Sequence, residues 1–293
     1  MNRSSSWLPL IFVSLTVLVF AAFFGWRYYQ ASQDSAPAET PVAAAPAPAP
    51  EPAAIEPSPA DANAPPPGIA NPVEEIEAPA ESAAPAELPA LDESDDAVSD
   101  RLVALLGRDK ALSFLQLDGF VRRLVATVDN LARQRASVAV WPVNPAPQRF
   151  ITQQEPDGTT TIHPDNSQRY VPMVQMVEAV DTAKAVAVYR SLYPLFQQAY
   201  EELGFPDRYF NDRVVQVLDH LIATPVQSGP LAVKLVEVKG EVPSTRPWVR
   251  YEFVDPALES LSAGRKMLLR TGPENHGRLR AKLVDIRQRV AKP

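Results

Sequence analysis

The sequence predicts an α+β chain, mainly α: a helical domain with one or two β-hairpins, preceded by a single transmembrane helix and a disordered linker. Three observations predict it. Residues 7–26, WLPLIFVSLTVLVFAAFFGW, are apolar and carry no charge. Residues 31–90 hold fifteen prolines and ten acidic residues, and no basic one. Beyond Leu91, stretches of helical apolar periodicity follow one another, interrupted by stretches rich in strand-forming residues. The expected organisation is a short tail at 1–6, the span at 7–26, the linker at 31–90 and a folded domain at 91–293.

At 1.5 Å per residue the apolar run makes about 30 Å of helix, enough to cross the hydrocarbon core of a bilayer. Trp7 and Trp26 stand at its ends and Tyr28 and Tyr29 just beyond, where amphipathic rings favour the membrane–water interface. The following RYYQASQDS offers no small-residue cleavage site, so the run reads as an uncleaved anchor. Arg3 precedes it and Arg27 follows; with the amino terminus, the positive charge favours a cytoplasmic N-terminus. The chain has no cysteine, which an oxidising compartment tolerates.

The linker lacks the apolar surface needed to offset chain entropy, so it is expected to stay disordered and extended. As polyproline II its contour approaches roughly 190 Å. It also accounts for the net charge of −7, since residues 91–293 hold 26 basic against 25 acidic residues. The low pI therefore describes the tether and not the folded part.

Within the folded part, SDDAVSDRLVALL (94–106) reads as a helix with acidic residues in its first turn and Gly107 at its exit. A second helix starts near Asp109. A third runs from about Asp118 to Arg133, with Phe120, Leu124, Val128 and Leu131 at helical spacing. The prolines of 138–150 make an extended connector. Residues 148–164 read as a hairpin turned at Pro156-Asp157-Gly158. Helices are expected at 168–180 and from Asp181 or Thr182 to Leu203, the latter kinked at Pro194 and striped by Ala185, Val188, Tyr189, Leu192, Phe196, Ala199 and Leu203. LAVKLVEV (231–238) and WVRYEFV (248–254) read as strands of a second hairpin. The last helix, about 274–291, presents Leu279, Leu283, Ile286 and Val290 as a narrow seam. There is no internal repeat.

FLQLDGFVRRLVATVDNL (114–131), YRSLYPLFQQAYEELGFPDRYFNDRVVQVLDHLIATP (189–225) and YEFVDPALESLSAGRKMLLRTGPEN (251–275) resemble the bacterial domain of unknown function 3014 family. The resemblance extends over nearly all of 91–291. It implies a bacterial envelope protein with a membrane segment, a Pro/Ala-rich tether and this C-terminal domain. It supplies no activity, cofactor or catalytic residue.

The most chemical stretch is GFPDRYFNDRVVQVLDHLI (204–222). On a helical wheel Phe210, Val214, Val217, Leu218 and Leu221 share one arc. Arg208, Asp212 and Asp219 line the opposite side, flanked by Arg213 and His220. Arg208 and Asp212 stand i,i+4, a spacing that favours an ion pair. Pro206 and Asp207 suit a first helical turn. The stretch thus reads as a capped helix with a polar face, and Arg208, Asp212, Arg213, Asp219 and His220 form a candidate partner surface. Asp212 and His220 stand about 12 Å apart along such a helix, too far to share a metal ion. No cofactor is expected. Thiol chemistry is excluded, and S-x-x-K, G-x-S-x-G, H-E-x-x-H and the P-loop are missing. The nine Lys and Arg of 265–292, against two acidic residues, read as a solvated helix pair or as a contact for an anionic ligand. Tyr189, Tyr193, Phe196 and Tyr200 match the buried face of their helix and read as core.

The expectation from sequence is a single-pass protein of the bacterial inner membrane. Its partners would be the membrane through 7–26 and an envelope protein or cell-wall polymer through the domain; nucleic acid is not expected. The alternative is a hydrolase-like envelope enzyme with a site assembled from residues distant in sequence.

Overall fold

Caps and breakers set the ends of the helices. In the computed structural model, which describes residues 68–76, 88–236 and 250–291, helix α1 (Asp95–Leu106) closes on Gly107 at φ 82°, a conformation that glycine adopts without strain. Helix α2 (Arg108–Phe114) follows at once. The Asp95 carboxylate accepts the Gly119 N–H at 2.9 Å, fixing the entry to α3 (Phe120–Leu131). After the connector come β1 (Thr152–Gln154) and β2 (Thr160–Ile162), paired antiparallel with Thr152 opposite Ile162. Asp157 accepts the Thr159 N–H in the turn between them. A 3-10 turn then leads into α4 (Val171–Ala179). Asp181 caps α5 (Thr182–Glu202) by accepting the Lys184 N–H, and α5 continues through Pro194.

Helix α6 (Phe210–Ile222) precedes the second strand pair, β3 (Val233–Leu235) and β4 (Tyr251–Phe253). Val233 stands opposite Phe253, and an isolated bridge from Thr161 to Ala232 sets the two pairs side by side. The outward main-chain groups of β4 are covered by side chains. Glu259 accepts the Phe253 N–H at 2.8 Å, and Arg270 donates to the Tyr251 carbonyl at 2.9 Å. That blunts the strand edge. The short helix α7 (Pro256–Glu259), α8 (Ala263–Arg270) and α9 (Pro273–Val290) complete the fold. The result is mainly helical with two small antiparallel strand pairs.

The main core lies among α1, α3, α5, α6 and α9, around Val98, Val125, Leu192, Phe196, Phe210 and Leu218. Full burial of a side chain such as Phe210 stabilises by about 1.5–3 kcal/mol. The aromatic stripe of α5 belongs to this core, with Tyr189 stacked on Phe196 at 5.5 Å and Tyr200 on Phe205 at 4.7 Å. A second cluster, Val217, Leu221 and Leu268, seats α8. There Gly264 is required by close approach: a Cβ would stand 2.9 Å from the Leu131 carbonyl oxygen and 2.6 Å from a Leu221 methyl. A third cluster, Val233, Phe253 and Leu269, underlies the strands.

Three expectations need correction. The turn Pro206–Arg208 is not helical, and α6 starts only at Phe210. Leu203, placed on the apolar stripe, is 42% exposed, because the stripe turns away from the core where α5 ends. Third, the folded part does not begin at Leu91. Residues 68–76, assigned to the linker, lie on the domain and bury Val73 and Ile76 in its main core. The apolar run at 7–26, the tail, the rest of the linker up to 87 and residues 237–249 lie outside the described residues. Among the described residues no helix is long and apolar enough to cross a membrane.

Candidate functional site

The first turn of α6 leaves main-chain N–H groups without helical acceptors. Side chains of α5 supply them. Gln197 Oε1 accepts the Phe210 N–H at 2.9 Å, and the Tyr193 hydroxyl accepts the Asn211 N–H at 3.1 Å. The Tyr193 hydroxyl in turn donates to Gln197 at 3.1 Å. Burial pushes the Tyr193 pKa well up, against the smaller downward pull of the Asn211 N–H. Tyr200 is pushed up to about 12 by burial and by the negative charge of Asp129. Asn211, fully buried, accepts from the Tyr189 hydroxyl at 3.1 Å and donates through Nδ2 to the Val290 carbonyl at 2.9 Å. One amide thus ties α5, α6 and the end of α9 together.

The same turn grips residues 68–76. The Asp212 carboxylate accepts the Ala70 N–H at 3.0 Å, the Asn71 N–H at 2.7 Å and Asn71 Nδ2 at 2.9 Å. Asn211 Nδ2 also donates to the Asn71 carbonyl at 2.9 Å. Pro72, which has no N–H, leads into a 3-10 turn over Val73–Glu75. The Tyr209 hydroxyl accepts the Val73 N–H at 2.9 Å, and Arg190 donates to the Ile76 carbonyl at 3.0 Å. Val73 and Ile76 are buried while Ile69 is exposed. Side chains of α5, α6 and the turn before α6 therefore read the main chain of a segment remote in sequence, and two aliphatic side chains anchor it.

The five candidate residues do not converge on one centre. Asp212 holds the segment just described, where the wheel had placed it against Arg208. Arg208 lies in the turn before α6, and its carbonyl accepts from Gln197. Arg213 reaches the other way, to Asp129 on α3, with Nε 3.0 Å from Oδ1 and Nη2 3.0 Å from the carbonyl. Asp129 is buried and also accepts from Arg133 at 2.6 Å. Asp219 is exposed and pairs with Arg287 of α9 at 2.9 Å. His220 lies 2.8 Å from the Ser262 hydroxyl, the residue that caps α8. Its pKa is lowered by burial and by the charges of Arg265 and Arg213, so it is neutral at pH 7.

Two residues central to this region escaped the sequence reading, Asn211 and Asp129. Each is a polar side chain at a position whose helical neighbours are core, as Asn211 shares its stripe with Val215 and Leu218. That combination was the available signal.

The basic stretch at 265–292 is taken up internally. Its described cations pair with Glu259, Glu178, Asp219 and Asp285 or donate to the carbonyls of His220, Tyr251, Ile222 and Val180. A cleft of about 420 Å³ beside β4 is lined by Arg135, Lys234, Glu252, Glu259 and Lys266, among others. Burial works upward on Glu259, but the hydrogen bonds from Lys266 and the Phe253 N–H hold it below the usual carboxylate range. A carboxyl so held makes a poor general acid at neutral pH. Among the described residues no group of His, Asp and Glu is placed to hold a metal ion.

The fold and this site define a mainly helical domain that binds a segment of its own upstream chain through one helix head. The chain belongs to the family described as protein of unknown function (DUF3014), whose model matches residues 120–287. No curated protein and no solved structure matches it.

Proposed function

We propose that the chain is a membrane-tethered envelope protein that presents an interaction domain to the periplasm. The observation that carries the binding reading is the head of α6, where side chains bind the segment 68–76 largely through its main-chain groups. Recognition of a chain segment by main-chain hydrogen bonds and side-chain pockets is the chemistry of a peptide-binding module. The anchoring part rests on the uncharged run 7–26 and on the acidic Pro/Ala segment behind it. A reporter enzyme active only outside the cytoplasm, fused after Pro293, tests the topology. Activity of that fusion is expected; an inactive fusion beside an active cytoplasmic reporter reverses the orientation.

A further inference from the structure

We infer that the head of α6 is a peptide-recognition groove whose ligand is the chain's own segment 68–76, and that this contact is an exchangeable clasp setting the length of the tether. The clasp rests on the binding reading above and needs no bilayer; only its effect on tether length rests on the anchoring of residues 7–26.

Four features make 68–76 a bound ligand rather than a fixed part of the domain. The contacts that hold it to α5 and α6 are made by side chains 114 to 142 residues away in sequence. Those side chains address main-chain groups at Ala70, Asn71, Val73 and Ile76, which a segment presents once it bends at 70–71 and makes a 3-10 turn over Val73–Glu75. Selectivity comes from three side chains: Asn71, whose amide shares the Asp212 carboxylate, and Val73 and Ile76, which enter the core. Finally, residues 77–87 read EAPAESAAPAE, a sequence with no large aliphatic residue.

That connection also decides in which mode the groove fills. A short linker between ligand and groove in one chain gives an effective concentration on the order of mM. A groove too weak to capture the segment from a second molecule at about µM concentration is therefore still closed within one chain. Asp212 dominates the polar contacts, because it accepts three hydrogen bonds and is a charged acceptor. With the clasp closed, the tether ends near Pro67. With it open, residues 68–87 join the tether, up to Leu88, which packs on the main core, and add roughly 60 Å of contour at about 3.1 Å per residue.

The chain has no cysteine, so one introduced cysteine is unique. Ile69→Cys sits at an exposed position beside the clasp and takes a spin label in the full chain, solubilised in detergent. The expected spectrum shows a restricted label that becomes mobile with Asp212→Ala or with Asn71→Ala. The second variant alters only the ligand side, so it stays informative if Asp212→Ala unfolds the domain, which circular dichroism reports. A synthetic peptide of residues 66–78 at mM concentration should mobilise the label, and the same peptide with alanine at 71, 73 and 76 should not. A label that stays restricted in both variants overturns the clasp. A label that both peptides leave restricted overturns exchange. Restricted labels that show a short distance between two copies assign the groove to a neighbouring chain and overturn the closed tether.

Discussion

The two ends of α6 use polar residues in opposite ways. At its head, Asn211, Asp212 and Arg213 are buried or half-buried and bind chain from three directions: the segment 68–76, the end of α9 and the buried Asp129 of α3. At its tail, Asp219 and His220 meet single side chains of α9 and of the α8 cap at the rim of the domain. A helical wheel assigns most of these residues to one polar face. The difference is that the head's side chains lie under neighbouring chain and bind its main-chain groups or a buried carboxylate, whereas the tail only borders its neighbours. Charge on a helix face says little about structural weight until the partner is known.

The largest effect is expected from Asp129→Ala. The carboxylate joins Arg133 and Arg213 at a buried position, and its side chain is 5% exposed. Removing it leaves two partly buried guanidinium groups without their counter-charge. Stranding a buried partner of an ion pair costs about 3–5 kcal/mol. Urea unfolding of Asp129→Ala should show a loss in that range. A loss under about 1 kcal/mol would place the α3–α6 tie on the same footing as a surface pair and erase the contrast between the two ends.

How much of this was legible depended on the range of each interaction. The turn at Pro156-Asp157-Gly158, the Asp181 cap and the aromatic stripe of α5 involve neighbours within one element, and the sequence states them directly. The start of α6 was misplaced because Pro206-Asp207 suits a turn as well as a first helical turn. The grip on 68–76 was not legible because its side-chain partners lie more than 100 residues away. A trace of it does exist. Of the six Val, Ile and Leu residues in 31–90, three fall at 69, 73 and 76. Averaging over a proline-rich stretch hides that cluster. Asp129 and Asn211 were passed over because a periodicity reading counts apolar positions and gives a buried polar one no role.

An intermediate effect is expected from pH, and it belongs to the tail of α6 and to α9. His220 is lowered by burial and by Arg265 and Arg213, and His276 by burial and by Arg280. His276 is 1% exposed, and among the described residues neither ring nitrogen has a hydrogen-bond partner. An ordinary histidine titrates near 6.5. Below that pH the unfolded chain binds more protons at these positions than the folded one, so folding weakens as pH falls. Their contribution is complete above about pH 6.5 and is lost on the way down through the lowered folded values. The lowered carboxylates, Asp285 and Glu259 among them, add a second decline at more acid pH. Melting temperature measured from pH 8 to 2 should be level and then fall in two stages, the second below about pH 4.5. His276→Gln together with His220→Gln should flatten the first stage; an unchanged first stage in that double variant assigns it to other groups.

The smallest effect is expected from Asp219→Ala. The pair with Arg287 has side chains 52% and 39% exposed, so both charges keep much of their hydration and the attraction between them is screened. The hydrogen bond to Asp219 raises the Arg287 pKa, but at that exposure the shift says little about stability. Exposed pairs contribute roughly 0.2–1 kcal/mol, and less as salt shortens the Debye length. Asp219→Ala should therefore shift the urea midpoint only slightly, and the shift should shrink further in 1 M NaCl. The double-mutant cycle with Arg287→Ala isolates the pair itself. A coupling below about 0.5 kcal/mol keeps the tail of α6 a rim contact, in contrast to its head. A salt-insensitive coupling above about 2 kcal/mol would mean that α9 is locked onto α6 by charge as firmly as α3 is, and the two ends of the helix would no longer differ in kind.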